Sequence, residues 1–179
     1  PSTKNKFVYR NLQQYAVAAQ PKRKHTPFRI VYAGLLGVAQ DIYSIIENIP
    51  FQSIGAEFHL YGGGNQTEKI KEYINKHPGC FVYYHGYVKK EQIAEELSRY
   101  DASIVPLTVA IKGAVPSKIY DLIPIGIPIL FCGGGEGAEI VSKYYFGMVS
   151  KPHDFKQLHN NIIELINLPD EEYSTISKN

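Results

Sequence analysis

The sequence predicts an α/β fold, a Rossmann-like doubly wound parallel sheet of about six strands. From residue 28 onward, short β-rich runs alternate with segments of helical periodicity, which is typical of parallel sheets. Most of the β-rich runs are almost continuously apolar, as expected for strands covered on both faces. The predicted strands are residues 28–32, 56–61, 81–84, 102–105, 128–131 and 147–149.

The predicted helices lie between these strands and carry apolar residues three and four positions apart. In the helix over residues 67–76, Ile70 and Ile74 share one face and Thr67 is the expected cap. Pro124 is expected to end a short helix, and Asp154 is expected to cap the last one. The predicted helices are residues 41–48, 67–76, 90–99, 117–123 and about 154–168.

Composition favours one globular domain. The chain has 179 residues, 44% of them hydrophobic and 20% charged, with a formal net charge of +2. This charge is too small to indicate nucleic-acid binding. Cys80 and Cys132 are too few for a disulfide framework and are expected to be buried free thiols in a reducing cytosol. No apolar run approaches the length that spans a bilayer, and no signal peptide is found, so a cytoplasmic location is expected.

Residues 1–27 differ from the rest of the chain because they are basic and show no clear periodicity. Their run at residues 22–24 could contact anionic lipid, but a solvated linker entering the domain is the favoured interpretation. We therefore expect a linker over residues 1–27 and a domain over residues 28–179.

The turns that follow the predicted strands are rich in glycine. Ligands of open parallel sheets bind beyond the carboxyl ends of the strands, and glycine lets the backbone approach them closely. Four such turns on one edge indicate a bound phosphate compound, although neither GxGxxG nor GxxxxGK[ST] occurs. The residues at the strand ends are Gly34 and Gly37, Gly62 and Gly63, Gly86 with Tyr87 and Val88, Pro106, and residues 133–137.

The segment Val115-Pro116-Ser117-Lys118 leads from a loop into a predicted helix. The first amides of a helix attract anions, and Lys118 adds a full positive charge there. Asp121 lies one turn further on the same face, where a carboxylate can accept hydrogen bonds from ribose hydroxyls. A solvated Lys118–Asp121 pair explains the same residue types equally well.

The order of these segments resembles the C-terminal, donor-binding domain of GT-B glycosyltransferases, in particular the retaining family four. The resemblance runs from residue 28 to about residue 168, and is most specific at residues 115–121. Within the family it is closest to a bacterial polysaccharide and aminosugar transferase subgroup of the WbuB type. The similar segments are residues 32–40, 58–64, 81–88, 101–106 and 115–121.

The resemblance implies transfer of a sugar from a nucleoside diphosphate sugar, with UDP as the expected nucleotide, in cell-surface polysaccharide or glycan biosynthesis. No metal or other cofactor is expected. An N-terminal domain outside this chain is expected to bind the acceptor, a glycan or lipid-linked sugar, so the isolated domain should be inactive. The whole enzyme is expected to touch the inner face of the membrane peripherally. The implied catalytic residue is Lys118, and the implied donor-binding residues are Gly34, Gly37, Gly62, Gly63, Gly86, Tyr87, Val88, Pro106, Val115, Pro116, Ser117, Lys118 and Asp121.

The chain departs from the family pattern at charged positions. Asp121 replaces the second family glutamate, and Gly113 stands where the first one is expected. Leu35 and Gln40 occupy the usual arginine and lysine positions of the first loop. Two alternatives therefore stay open, half of a nonhydrolysing sugar-nucleotide epimerase and a non-catalytic nucleotide-binding domain.

Overall fold

The predicted fold class is confirmed. The computed structural model describes residues 24–108 and 115–176, which form a six-stranded parallel sheet in the order β3-β2-β1-β4-β5-β6. The strand order reverses between β1 and β4, which is the switch point of a doubly wound sheet. The strands are β1 (Phe28–Leu35), β2 (Ala56–Gly63), β3 (Val82–Gly86), β4 (Ala102–Pro106), β5 (Ile129–Cys132) and β6 (Gly147–Ser150).

Seven α-helices surround the sheet in the described part of the chain. None of them is both long and apolar enough to cross a membrane. Short 3₁₀ turns over Phe51–Ile54, Lys90–Gln92 and Ile123–Ile125 accompany them. The helices are α1 (Ile42–Asn48), α2 (Thr67–Lys76), α3 (Ile93–Leu97), α4 (Ser117–Leu122), α5 (Glu136–Lys143), α6 (Phe155–Asn167) and α7 (Asp170–Ile176).

Two helices were missed by the sequence analysis, and one cap was assigned wrongly. Helix α5 contains Gly137, where a Cβ would press against the Phe131 ring, so the glycine serves close packing and not a turn. Helix α7 is short and acidic at its start, and it is anchored by the buried Tyr173. Thr67 is the first residue of α2 and accepts a hydrogen bond from the Gly64 amide, so it does not cap the helix. The cap at Asp154 is confirmed, because its carboxylate accepts from the Gln157 amide at 2.9 Å.

Apolar side chains cover both faces of the sheet, as the near-continuous apolar strands predict. On one face, α1, α6 and α7 pack against Ile30, Tyr32, Phe58 and Leu60. On the other face, α3, α4 and α5 pack against a second set of buried strand residues. The core residues of this second face include Val31, Val105, Ile129, Phe131, Leu97, Ile119 and Val141.

The buried carboxylate of Asp101 fastens the start of the described chain to the sheet. It accepts hydrogen bonds from the backbone amides of Arg29 at 2.7 Å and His25 at 3.2 Å. The His25 Nδ1 atom lies 2.9 Å from the same carboxylate, and the Tyr173 hydroxyl donates to the Asp101 carbonyl at 2.6 Å. Residues at the end of the predicted linker therefore bind directly to the domain.

Gly62 is a point where β1 and β2 approach closely. Its φ is +115°, and a Cβ there would overlap the carbonyl oxygen of Gly34, its partner in the strand register. In a variant with a side chain at residue 62, backbone strain and the clash with main-chain atoms would both destabilise the fold.

We predict that Gly62→Ala lowers the free energy of unfolding by about 3 kcal/mol or more. The matched control is Gly55→Ala, because Gly55 has a φ of +70° but no atom lies within 4 Å of the place that an added methyl group would take. The control should cost about 1–2 kcal/mol, from left-handed strain alone. Urea unfolding of both variants tests this, and equal losses would contradict the close approach.

Candidate functional site

Two cavities lie side by side at the carboxyl edge of the sheet, next to the switch point at β1. One, of about 400 Å³, lies between the ends of β1 and β2 and the loop after β3. The other, of about 150 Å³, lies between α3 and α4. They share Ala33 and Ile93, and we call them together the β1 cleft. The larger cavity is lined by Gly34, Leu35, Tyr61, Gly62, Gly63, Tyr87 and Val88, and the smaller one by Lys90, Ser103, Lys118 and Asp121 among others.

Lys118 extends from the first turn of α4 across the end of β1. A Cβ at Gly34 would collide with the Nζ and Cε atoms of Lys118, so the lysine side chain lies directly over the Gly34 backbone. Its Nζ atom is 5.7 Å from the centroid of the Tyr32 ring. Gly34 itself has a φ of +153°. Only glycine suits this position, because it must adopt that φ and also leave space for the ammonium group.

Lys118 and Asp121 are half-buried, and burial shifts both of their pKa values. Burial lowers the pKa of Lys118, and the nearby Asp121 raises it only in part. Burial likewise raises the pKa of Asp121, against the smaller effects of Lys118 and Lys90. Within residues 24–108 and 115–176, no carboxylate lies within 4 Å of Lys118 Nζ. The solvated Lys118–Asp121 pair is therefore not what the structure contains.

Lys90 is a residue of the β1 cleft that the sequence analysis missed. It begins the 3₁₀ turn after β3 and lines the same cavity as Lys118 and Asp121. Two lysines and one carboxylate give this cavity a positive balance that suits an anion. The signal in the sequence was the position of Lys90 two residues after Val88, directly behind the third glycine turn.

The glycines and the aromatic residue at the ends of β2 and β3 form the wall of the larger cavity. A Cβ at Gly63 would collide with the Tyr87 hydroxyl, so the Tyr87 ring lies over Gly63. Tyr87 is nonetheless 82% exposed, and Val88 lies beside it. This arrangement places an exposed, flat aromatic ring beside the backbone of Gly63.

Other predicted site residues lie outside the β1 cleft. Pro106 lines a separate cavity of about 20 Å³, together with Gln40 and His153. The role of these other residues in ligand binding stays a prediction. Besides Pro106, the predicted site residues that line neither cavity of the cleft are Gly37, Gly86, Val115, Pro116 and Ser117.

The charged positions that depart from the family pattern can be partly located. Leu35 lines the cleft and is 60% exposed, while Gln40 turns its Oε1 atom into the protein interior, where none of the described residues donates a hydrogen bond to it. Neither supplies charge to the cleft. Gly113 lies outside the described residues. Helix α4 has only six residues, and Lys118 adds a full positive charge in its first turn.

No group of three or more histidine, cysteine or acidic side chains in the described part of the chain could hold a metal ion. The His59 and His85 rings, on the neighbouring strands β2 and β3, approach each other to 2.9 Å between ring nitrogens. Burial lowers the pKa of each ring. These histidines do not line the β1 cleft.

Comparison with known sequences identifies a family. The family model described as "Glycosyl transferases group 1" matches residues 27–168. No curated protein sequence matches the chain.

Comparison with solved structures shows the same fold in GT-B glycosyltransferases. A TarM variant from S. aureus is 17% identical with a TM-score of 0.70, and the match covers 92% of this chain and 33% of TarM. Anabaena HepE, solved with UDP and glucose, is 17% identical with a TM-score of 0.71, over 85% of this chain and 42% of HepE. The catalytic domain of a cholesterol-α-glucosyltransferase from Helicobacter pylori is 17% identical with a TM-score of 0.63, over 85% of this chain and 93% of that domain. The chain thus spans a third to under half of the length of TarM and HepE.

We predict that Asp121→Asn stabilises the ligand-free protein at pH 7. The folded protein raises this pKa above its ordinary value of 3.8, so the ionised carboxylate costs stability above the raised pKa. The gain should shrink as the pH falls towards 4, because the parent carboxyl then takes up its proton. The free energies of unfolding of the parent and the variant, measured in urea at pH 7 and at pH 4, test both expectations.

The control for this prediction is Glu72→Gln. The ion pair with Lys76 lowers the pKa of Glu72, so its removal should have the opposite sign, a slight loss at pH 7. A loss of stability in Asp121→Asn at pH 7 would show that the carboxylate is stabilised in the fold.

Proposed function

The chain belongs to the group 1 glycosyl transferases, and we propose that it is the donor-binding half of an enzyme that transfers a sugar from a nucleoside diphosphate sugar. One observation carries the proposal. The half-buried Lys118, with no carboxylate of the described residues within 4 Å of its Nζ atom, lies over the glycine backbone at the switch point, and the carboxylate of Asp121 lines the same cavity. A diphosphate with an attached ribose supplies the groups that both side chains lack.

Each part of the donor has a matching surface in the β1 cleft. We assign the diphosphate to Lys118 and Lys90, and the ribose hydroxyls to Asp121. The base is assigned to the wall formed by Tyr87 and Val88, where backbone groups can read its edge.

The chemistry that we propose for Lys118 is stabilisation of the leaving group. When the sugar leaves, negative charge develops on the terminal phosphate of the nucleotide. A preorganised ammonium group stabilises this charge most where water is excluded, and Lys118 is partly removed from water by its burial. No metal is needed for this step.

The nucleotide and the domain division follow from the comparisons and from the sequence resemblance. UDP is the proposed nucleotide, because the structures of TarM and HepE contain it and because the sequence resembles the WbuB-type subgroup. We assign residues 28–179 to the donor domain and residues 1–27 to the linker from an upstream domain. That domain would bind the acceptor, a cell-surface glycan or lipid-linked sugar, at the cytoplasmic face of the membrane. This chain alone should then bind UDP and transfer no sugar.

A non-catalytic nucleotide-binding domain is the second candidate. It is favoured by the absence of charge at Leu35 and by the inward turn of Gln40. An epimerase is disfavoured, because Asp121 is the one carboxylate lining the described cleft and no histidine lines it.

We predict that Lys118→Ala weakens UDP binding by about 1.5–3 kcal/mol, or about 10- to 150-fold, which is the range for a charge-assisted hydrogen bond. Isothermal titration calorimetry measures this. Lys143→Ala, at an exposed position on α5, is the matched control and should bind like the parent.

Pyrophosphate distinguishes the roles of Lys118 and Asp121 in the same experiment. Asp121→Asn should weaken UDP binding less than Lys118→Ala does, and it should hardly affect pyrophosphate, which has no ribose. If both variants bind UDP like the parent protein, the anion site lies elsewhere, and residues 133–137 become the next candidate.

We further predict that UDP stabilises the protein more than GDP or ADP in a thermal-shift panel. A ligand at a hundred times its dissociation constant adds about 2.7 kcal/mol of apparent stability. Tenfold tighter binding of GDP would reverse the assignment of the base. Sugar transfer by this chain alone would contradict the proposed division of the enzyme into two halves.

A further inference from the structure

An apolar groove lies on the side of the domain away from the β1 cleft. It has a volume of about 540 Å³ and lies between the edge strand β6 and the two last helices. Met148, Leu168 and Ile176 form its apolar lining, and Tyr145, which is 72% exposed, lies at its mouth. We call it the tail groove. Its size and its apolar lining are typical of a surface that binds a further segment.

The walls of the tail groove are acidic. Glu164 of α6 and Glu172 of α7 line it, and both side chains are exposed. Asp170 and Glu171 lie beside them in the first turn of α7. The groove therefore combines an apolar floor with a negative rim, which suits a basic amphipathic segment.

The described chain begins at this groove. Lys24 donates through Nζ to the carbonyl oxygens of Ile166, at 2.8 Å, and of Leu168. Its ammonium group is also 3.9 Å from Asp170 Oδ1. Leu168 thus both accepts from Lys24 and lines the groove, so Lys24, the first described residue, contacts the edge of the groove.

The segment of residues 1–23 has the complementary chemistry. It carries five basic residues and no acidic one, and it has apolar residues to fill the groove. Its length is also sufficient, because 23 residues span about 35 Å as a helix and about 75 Å when extended. The basic residues are Lys4, Lys6, Arg10, Lys22 and Arg23, and the larger apolar residues include Phe7, Val8, Tyr9, Leu12 and Tyr15.

We propose that residues 1–23 of this chain dock in the tail groove. Their apolar side chains cover Met148, Leu168 and Ile176, and their cations face Glu164 and Glu172. The contact at Lys24 is the described end of this interface. Docking fixes the direction from which the upstream part of the enzyme approaches the donor domain. The docking of residues 1–23 does not depend on which donor the β1 cleft binds.

Site-specific photo-cross-linking in the whole 179-residue chain tests this proposal. p-Benzoylphenylalanine replaces Ile176 on the groove floor, and mass spectrometry identifies the cross-linked peptides. We expect cross-links to residues 1–23 whose yield does not change on tenfold dilution. The control places the same group at Tyr83, an exposed aromatic residue on the opposite edge strand β3, and it should give no such cross-link.

Charge reversal tests the acidic rim. The double variant Glu164→Lys and Glu172→Lys should lower the cross-link yield several-fold, whereas Glu68→Lys and Glu95→Lys on other exposed surfaces should leave it unchanged. If the Ile176 replacement disturbs the fold, the same experiment at Tyr145, at the mouth of the groove, replaces it. Cross-links that join two copies and disappear on dilution would overturn the proposal in favour of a second copy. Cross-links to no segment, or to a segment other than residues 1–23, would overturn it as well.

Discussion

The approach of the Lys118 side chain to the backbone of β1 is the constraint on which the site depends. Gly34 leaves the space for the ammonium group, and Gly62 on the neighbouring strand leaves the space for the Gly34 carbonyl. A side chain at either glycine would move the lysine or the strand. The glycine turns at this edge are therefore needed for packing between strands as well as for room around a ligand.

The same arrangement leaves the charges on Lys118 and Asp121 only partly compensated by each other. Burial lowers the pKa of Lys118 and raises that of Asp121, so each group is less favourable in its charged form than it is in water. Such a site is completed by a ligand that brings an anion to the lysine and hydroxyl donors to the carboxylate. The β1 cleft thus lowers the stability of the fold, and the bulk of that stability comes from the apolar layers on the two faces of the sheet.

The sequence predicted those features that follow from local patterns. Near-continuous apolar runs located all six strands, and the glycine turns located the edge that carries the cleft. Helix α5 was missed because the fit of Gly137 against Phe131 depends on a contact between two separate elements. Lys90 was missed because its place in the same cavity as Asp121 depends on the tertiary arrangement of two segments that are distant in the sequence. The half-burial of Lys118 could not be read from the sequence either, since a lysine three residues before an aspartate is usually a solvated pair.

Chemical-shift mapping of the ¹⁵N-labelled protein with UDP tests the central claim most directly, because it locates the bound nucleotide residue by residue. If the β1 cleft is the donor site, the largest amide shifts should cluster at Gly34, Gly62, Gly63, Val88 and Lys118, and Lys118→Ala should abolish this cluster at the same UDP concentration. Largest shifts at residues 133–137 or around the tail groove, with these five amides unchanged, would contradict the account.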